Sequence, residues 1–147
     1  MITFKKLWDN HPTNTDHKDP CVTNGQKNFS NQCAIRVGVS LAECGIKTAS
    51  IPGAIHCWHG HDKSEGHVIR AEELANGLTK ISLPGLKPVI KVNPNEFSKK
   101  ISGKKGIIFF KDYWQRTISE KKESFRNRSG DHIDTWNGSR ITDLTSW

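Results

Sequence analysis

The sequence predicts an α+β fold in which helices pack on one side of a small antiparallel sheet. Two amphipathic helical patterns occupy the first half of the chain, from about residue 33 to Gly45 and over residues 67–78. In both, apolar residues recur every three or four positions, which is the period of one helix face. The second half carries a continuous apolar run at 106–110 and a hairpin pattern at 131–143. Helices followed by antiparallel strands are typical of the α+β class.

Length and composition indicate one domain spanning residues 1–147. The chain has 147 residues, of which 34% are hydrophobic, and its mean hydropathy is −0.63. It contains no run of about eighteen apolar residues such as a membrane-spanning helix needs. Its first eight residues also lack the apolar stretch of a secretory signal. We therefore expect a protein that is made in the cytoplasm, does not insert into membranes, and leaves the cell only through a dedicated export machine.

The remaining stretches of the chain are less regular. We expect a short helix at 4–10 followed by a polar loop, and a weak strand at 89–92. A short helical turn is predicted to begin at 95–97. Residues 112–130 are rich in Lys, Glu, Ser and Arg, which predicts a long polar connection beside the hairpin.

The net charge of +7 favours an anionic partner. Nucleic acid, an acidic membrane surface and an acidic polymer such as peptidoglycan all fit this charge. The basic residues are dispersed or lie in short runs, and no zinc-finger, helix-turn-helix or RNA-recognition signature accompanies them. We therefore expect no nucleic-acid partner, while a basic module that binds nucleic acid or another polyanion remains an alternative function.

Cys33 lies at the start of the first long helix. Ser30 or Asn31 is expected to cap this helix, and Gly45 to end it in a left-handed conformation. In the first turn, unpaired backbone N–H groups and the positive end of the helix dipole favour an anion. A thiolate benefits from this position, and the thiolate is the reactive form of cysteine. Cys33 is therefore the predicted nucleophile.

The hairpin pattern predicts the partners of this nucleophile. Asn137-Gly138 is a strong signal for a two-residue turn, and such a turn would pair His132 with Asp143. Directly opposed side chains have Cβ atoms about 4.5–5.5 Å apart, close enough for a carboxylate to orient an imidazole. Asp134 is the alternative orienter, on the same strand face but roughly 6.5–7 Å along the strand. We therefore rank Asp143 first and Asp134 second.

Cys33, His132 and Asp143 together fit the roles of nucleophile, base and orienter. Taken separately, a buried cysteine and an Asn-Gly hairpin are both common structural features. The order Cys, His, Asp on a helix followed by strands is the papain-like arrangement. The sequence therefore predicts a papain-like cysteine hydrolase.

The other cysteines raise the question of a disulfide or a metal. Cys21 and Cys57 lie in irregular stretches, where they could form a disulfide or stay reduced. Residues 56–61, with His67 following, are dense in ligand types, but the Cys-x₂₋₄-Cys spacing of structural zinc sites is absent. We therefore expect no metal and no cofactor, with a polar loop beside a substrate cleft. A metal-dependent hydrolase using the cluster from His56 to His67 remains an alternative.

Several blocks resemble the fourth family of type VI secretion amidase effectors, from about residue 8 to the end. The residues that carry the resemblance are Asn31-Gln32-Cys33-Ala34-Ile35-Arg36, Gly66-His67-Val68-Ile69-Arg70-Ala71-Glu72-Glu73-Leu74-Ala75, Gly106-Ile107-Ile108-Phe109-Phe110 and Gly130-Asp131-His132-Ile133-Asp134-Thr135-Trp136-Asn137-Gly138. The resemblance implies an NlpC-type amidase that cuts the γ-D-glutamyl to meso-diaminopimelate bond of peptidoglycan stem peptides. It also implies injection into a rival bacterium's periplasm and a cognate immunity protein that blocks the cleft. By position, Cys33, His132 and Asp143 match the family's nucleophile, base and acidic residue.

Overall fold

The computed structural model describes residues 1–114, 117, 118, 120–122 and 130–142. The helices are α1 (Phe4–Asp9), α2 (Cys33–Glu43), α3 (Ala71–Thr79) and α4 (Phe97–Ile101). The strands are β1 (Val22–Thr23), β2 (Gln26–Lys27), β3 (Gly106–Trp114), β4 (Thr117–Ile118), β5 (Lys121–Lys122) and β6 (Gly130–Trp136). Within the described parts of the chain, β1 pairs with β2, β3 with β6 and β4 with β5, all antiparallel. This combination agrees with the predicted α+β class.

The end of α2 follows the predicted pattern. Gly45 has φ +86°, the left-handed conformation that glycine adopts without a steric penalty. Its N–H donates to the Ala42 carbonyl, and the N–H of Ile46 donates to the Leu41 carbonyl. These bonds satisfy carbonyl groups that the last helical turn leaves open.

The core forms where the helices meet β6. Leu7 of α1, Leu41 of α2, Leu74 of α3 and Ile133 of β6 belong to one buried cluster, and none is more than 1% exposed. Burying each of these side chains stabilises the fold by about 1.5–3 kcal/mol. Residues 132–135 are all buried, so β6 is covered on both faces rather than on one. None of the helices in the described residues has the length and apolar character needed to cross a membrane.

Helix α3 begins four residues later than predicted. Residues 67–70 are extended, because the segment pairs with residues 55–57 instead. His56 and Val68 form an antiparallel bridge, and the Cys57 N–H donates to the His67 carbonyl at 2.9 Å. Val68 still reaches the core, but from an extended chain. Residues 89–92 form no strand, so that prediction is wrong.

The extended segment is held against α2 by two glycines. A Cβ added at Gly38 would lie 2.0 Å from the Gly66 carbonyl oxygen. Gly66 itself has φ +78°, and a Cβ added there would lie 2.3 Å from the Gly38 oxygen. Only a residue without a side chain allows such a close approach of helix and segment.

The turn after β6 is longer than the predicted two residues. The Asn137 side-chain oxygen accepts from the Ser139 N–H at 3.0 Å and from the Arg140 N–H at 2.9 Å. The Asn137 N–H donates to the Arg140 carbonyl at 3.1 Å. Because the Asn137 side chain caps the turn, the four residues 137–140 close it.

This longer turn changes the strand register. Trp136 pairs with Ile141, and the Thr142 N–H donates to the Thr135 carbonyl at 3.2 Å. A two-residue turn would pair Trp136 with Ser139 and Thr135 with Arg140. The observed partners lie two residues later, so the predicted register is wrong. The geometric reason for setting Asp143 opposite His132 no longer holds, and Asp143 lies outside the described residues.

Candidate active site

Cys33 is the first residue of α2 and is 6% exposed. The N-cap residue is Gln32 rather than the predicted Ser30 or Asn31, and its side chain makes no capping bond. The Cys33 backbone N–H donates to the Asn31 side-chain oxygen at 3.0 Å. Gln32 is fully buried and bonds Cys21 twice, accepting from its N–H and donating to its carbonyl, both at 2.9 Å. The thiol therefore lies at the positive end of a helix dipole. Hydrogen bonds of Asn31 and Gln32 hold the backbone at this end of the helix.

His132 lies in β6 opposite Phe110 of β3 and is buried. Its side chain hydrogen-bonds to the side chains of both Cys33 and Asp134. Burial alone would lower the pKa of His132, but these two hydrogen bonds and the negative charges of Cys33 and Asp134 outweigh it and raise the pKa to about 9. The imidazole is thus the charged partner of the thiol at neutral pH.

Asp134 contacts His132 directly. Its Oδ2 lies 3.2 Å from His132 Nε2, and its Oδ1 accepts from the Thr135 N–H at 2.7 Å. The sequence argument ranked Asp134 second because the two residues are separated along the strand. That argument considered only the backbone spacing, whereas alternate side chains on one strand face can lean toward each other.

His11 is a residue of this site that the sequence analysis missed. It is 1% exposed, and its Nε2 lies 3.2 Å from Asp134 Oδ1. Its Nδ1 accepts from the Thr13 N–H at 3.3 Å, so we assign the ring hydrogen to Nε2, which donates to the carboxylate. No local motif marks His11 apart from the 3₁₀ turn Pro12–Thr15 that follows it.

These contacts form a buried chain of four side chains, Cys33, His132, Asp134 and His11. In this row a thiol is followed by an imidazole, a carboxylate and a second imidazole. The first three have the chemistry of nucleophile, general base and orienter. The second imidazole fixes the carboxylate from its far side.

Four other side chains form a second cluster of possible metal ligands. The ligand atoms of Cys21, Cys57, His61 and His67 all lie within 4.8 Å of one another. All four cysteines are free thiols in this structure. His56, from the segment that the sequence analysis singled out, instead contacts the Thr48 hydroxyl through its Nε2 at 2.8 Å.

Comparison with known protein families gives a match. The model of the family described as type VI secretion system amidase effector protein 4 matches residues 29–147. The chain belongs to this family. The match covers most of the chain, from just before α2 to the last residue, and it confirms the family indicated by the sequence motifs. Searches of curated proteins and of solved structures find no match.

Membership of the amidase effector 4 family gives the site its context. The family indicates a type VI secretion amidase effector, with peptidoglycan as substrate and the secretion apparatus as a partner. Cys33, His132 and Asp134 lie within the matched residues. His11 and Cys21 precede them.

Proposed function

We propose that this protein is a cysteine amidase that hydrolyses the γ-D-glutamyl to meso-diaminopimelate bond of peptidoglycan stem peptides. It acts in the target cell's periplasm, and residues 1–147 form a single papain-like domain. The observation that carries the proposal is the contact of His132 with both Cys33, at a helix N-terminus, and Asp134.

The first half of the reaction forms a thioester. The Cys33 sulfur attacks the amide carbon of the γ-glutamyl group, which gives a tetrahedral oxyanion. His132, as the imidazolium, then donates a proton to the departing nitrogen of diaminopimelate. The C–N bond breaks, the free amine leaves, and the glutamyl group remains bound to sulfur.

The second half releases the acid. His132, now neutral, takes a proton from water as the water attacks the thioester carbon. Collapse of this second tetrahedral species breaks the C–S bond and regenerates the Cys33 thiolate. Asp134 holds the His132 ring in one orientation throughout, because its Oδ2 accepts from Nε2.

The Cys33 N–H is the first proposed donor to the oxyanion. In the resting arrangement it donates to Asn31 instead. Asn31 is exposed, so its side chain can move away when the substrate oxygen arrives. The oxyanion then replaces the Asn31 oxygen on the same N–H.

We propose Asp134 as the orienter because it contacts His132 and is itself held by Thr135 and His11. Asp143, which the family resemblance favours, remains the competing assignment. Comparison of Asp134→Asn with Asp143→Asn distinguishes the two assignments.

Charge and partners fit the same reaction. Stem peptides carry several carboxylates, and a chain with a net charge of +7 attracts them.

We also propose that a cognate immunity protein blocks the cleft near Cys33 in the producer's kin. A polyanion-binding module would keep its function after alkylation of Cys33, and a metal-dependent hydrolase would lose activity with chelators.

The test is digestion of purified muropeptides by the wild type, Cys33→Ala and Cys44→Ala. Mass spectrometry reads which bond is cut. We expect the wild type to release fragments with a new diaminopimelate amine, and Cys33→Ala to lose at least about 10³-fold in rate. Cys44, at the other end of α2, is the matched control and should change the rate by less than about threefold. Undiminished cleavage by Cys33→Ala would overturn the proposal.

A further inference from the structure

We propose that Cys21, Cys57, His61 and His67 form a structural zinc site that fixes the segment next to the nucleophile. This inference does not depend on which bond the enzyme cleaves. It departs from the expectation, drawn from cysteine spacing, that no metal is bound.

The distances between the ligand atoms suit a tetrahedral ion. Cys21 Sγ and Cys57 Sγ are 3.6 Å apart. His61 Nδ1 lies 3.1 Å from Cys57 Sγ and 3.7 Å from Cys21 Sγ. Tetrahedral zinc, with Zn–S of about 2.3 Å and Zn–N of about 2.0–2.1 Å, places neighbouring ligand atoms about 3.3–3.8 Å apart. Two of the three separations fall in this range and the Cys57–His61 separation is slightly shorter, while the His67 ligand atom lies within 4.8 Å of the others. Small side-chain movements therefore suffice to close the four groups around an ion.

The surroundings of the two histidine rings also favour metal binding. His61 Nε2 lies 3.2 Å from the Val22 carbonyl oxygen, which directs Nδ1 toward the two sulfurs. A ligating histidine commonly has its second nitrogen bound to a carbonyl in this way. His67 is 5% exposed, and in the described part of the chain its Nδ1 is one of two buried side-chain polar atoms that have no hydrogen-bond partner. A buried imidazole nitrogen without a partner is costly unless something binds it.

The backbone holds three of the four ligands in place. Cys57 and His67 lie on paired segments, joined by the Cys57 N–H to His67 carbonyl bond. Gly60, with φ +84°, makes the turn between Cys57 and His61. The close approach of Gly66 to Gly38 holds the His67 side of the cluster against α2. Such a preformed set loses little conformational freedom when it binds an ion.

The ligand set indicates a structural role. Two cysteines and two histidines complete a tetrahedron, whereas catalytic zinc keeps one position open for water. Metal-dependent hydrolysis at this cluster is therefore not favoured.

The cluster is linked to the active site through Cys21. The backbone of Cys21 bonds twice to Gln32, and Gln32 directly precedes Cys33. A metal that holds Cys21 also holds the start of α2.

Cys21 and Cys57 must lose their thiol protons to bind a metal ion. Zinc displaces the proton from a coordinating thiol. Two thiols at this separation can alternatively be oxidised to a disulfide by an external oxidant, and the test must distinguish the two outcomes.

The test uses the full chain, purified with a reducing agent and without chelators. Elemental analysis should give one zinc per chain for the wild type, Cys33→Ala and Cys44→Ser. Replacement of zinc by Co²⁺ should give the absorption of a tetrahedral site with thiolate-to-cobalt charge transfer. The variants Cys57→Ser and His61→Ala should lose most of the bound metal. Removal of the metal from the wild type should lower Tm by roughly 10 °C or more.

Three results would overturn the proposal. The first is a reduced wild-type protein that contains no metal and gives no tetrahedral spectrum with excess Co²⁺. The second is a Cys21–Cys57 disulfide that, once reduced, still binds neither zinc nor cobalt. The third is full metal content in His61→Ala. Because the cobalt spectrum is measured on the wild type, the proposal can be tested even if a variant fails to fold.

Discussion

His132 Nε2 and Asp134 Oδ2 lie 3.2 Å apart on the same face of one strand. Both residues are at most 3% exposed, so the contact is shielded from water. An imidazole and a carboxylate that contacts it are thus supplied by a single short element, β6. Packing of this strand against β3 and α2 is what positions the pair beside Cys33.

The first prediction compares the two acidic residues. Asp134→Asn should lower kcat by up to about 10³–10⁴-fold, because a neutral amide no longer stabilises the imidazolium and its NH2 group can favour the wrong tautomer. Asp143→Asn should lower it less. Steady-state cleavage of muropeptides gives both values, and circular dichroism checks that each variant is folded. A larger loss for Asp143→Asn would restore the original ranking.

A second prediction concerns His11, a positioning residue that acts through Asp134. His11→Ala should lower kcat roughly tenfold with little change in KM, because the carboxylate loses one of its hydrogen bonds. His11→Gln can donate from a similar position and should recover much of the rate. The pH profile of kcat should shift in the alanine variant but not in the glutamine variant. Equal effects of both variants would indicate a packing role alone.

The third prediction is a pH dependence of stability. The pKa of His132 rises from 6.5 to about 9 on folding, so the folded state binds the proton more tightly than the unfolded state. The resulting stabilisation is fully present below pH 6.5 and is lost as the pH rises through 9. A shift of this size corresponds to about 3 kcal/mol.

Urea unfolding between pH 6 and pH 10 measures this effect. The free energy of unfolding of the wild type should fall across the range, whereas His132→Gln should lack this part of the decline. The same slope in both proteins would assign the pH dependence to other groups.

The fourth prediction tests the close approach of Gly38 and Gly66. Gly38→Ala should destabilise the protein by about 1–3 kcal/mol or more, because its Cβ meets the Gly66 backbone. Gly106→Ala is the matched control, since a Cβ there meets no atom within 4 Å. The control should change the free energy of unfolding by less than about 0.5 kcal/mol. Similar losses of stability in both variants would contradict a close contact between Gly38 and the Gly66 backbone.

The sequence predicted α2 well because its signals are local. Periodic apolar residues and a glycine at the end are readable from a short stretch, and Cys33 falls in the first turn as expected. The hairpin register could not be read in this way. It depends on the Asn137 side chain, which accepts from two backbone N–H groups and lengthens the turn.

The place of Cys21 in the second cluster and the contact of His11 with Asp134 were not predicted, for a different reason. Cys21 joins Cys57 from 36 residues away and His61 from 40 residues away, so a search for neighbouring cysteines does not find the set. His11 meets Asp134 only because α1 packs against α2 and leads the chain back toward β6. Contacts of this kind are decided by tertiary packing and leave no short motif.

The link between His11 and Asp134 has a practical consequence for how this enzyme is produced and compared. The family match begins at residue 29, yet both His11 and Cys21 lie before it. A fragment trimmed to the matched region would keep Cys33 and His132 but would lose one support of the carboxylate and one ligand of the cluster. We therefore expect a fragment of residues 29–147 to be less active and less stable than the full chain.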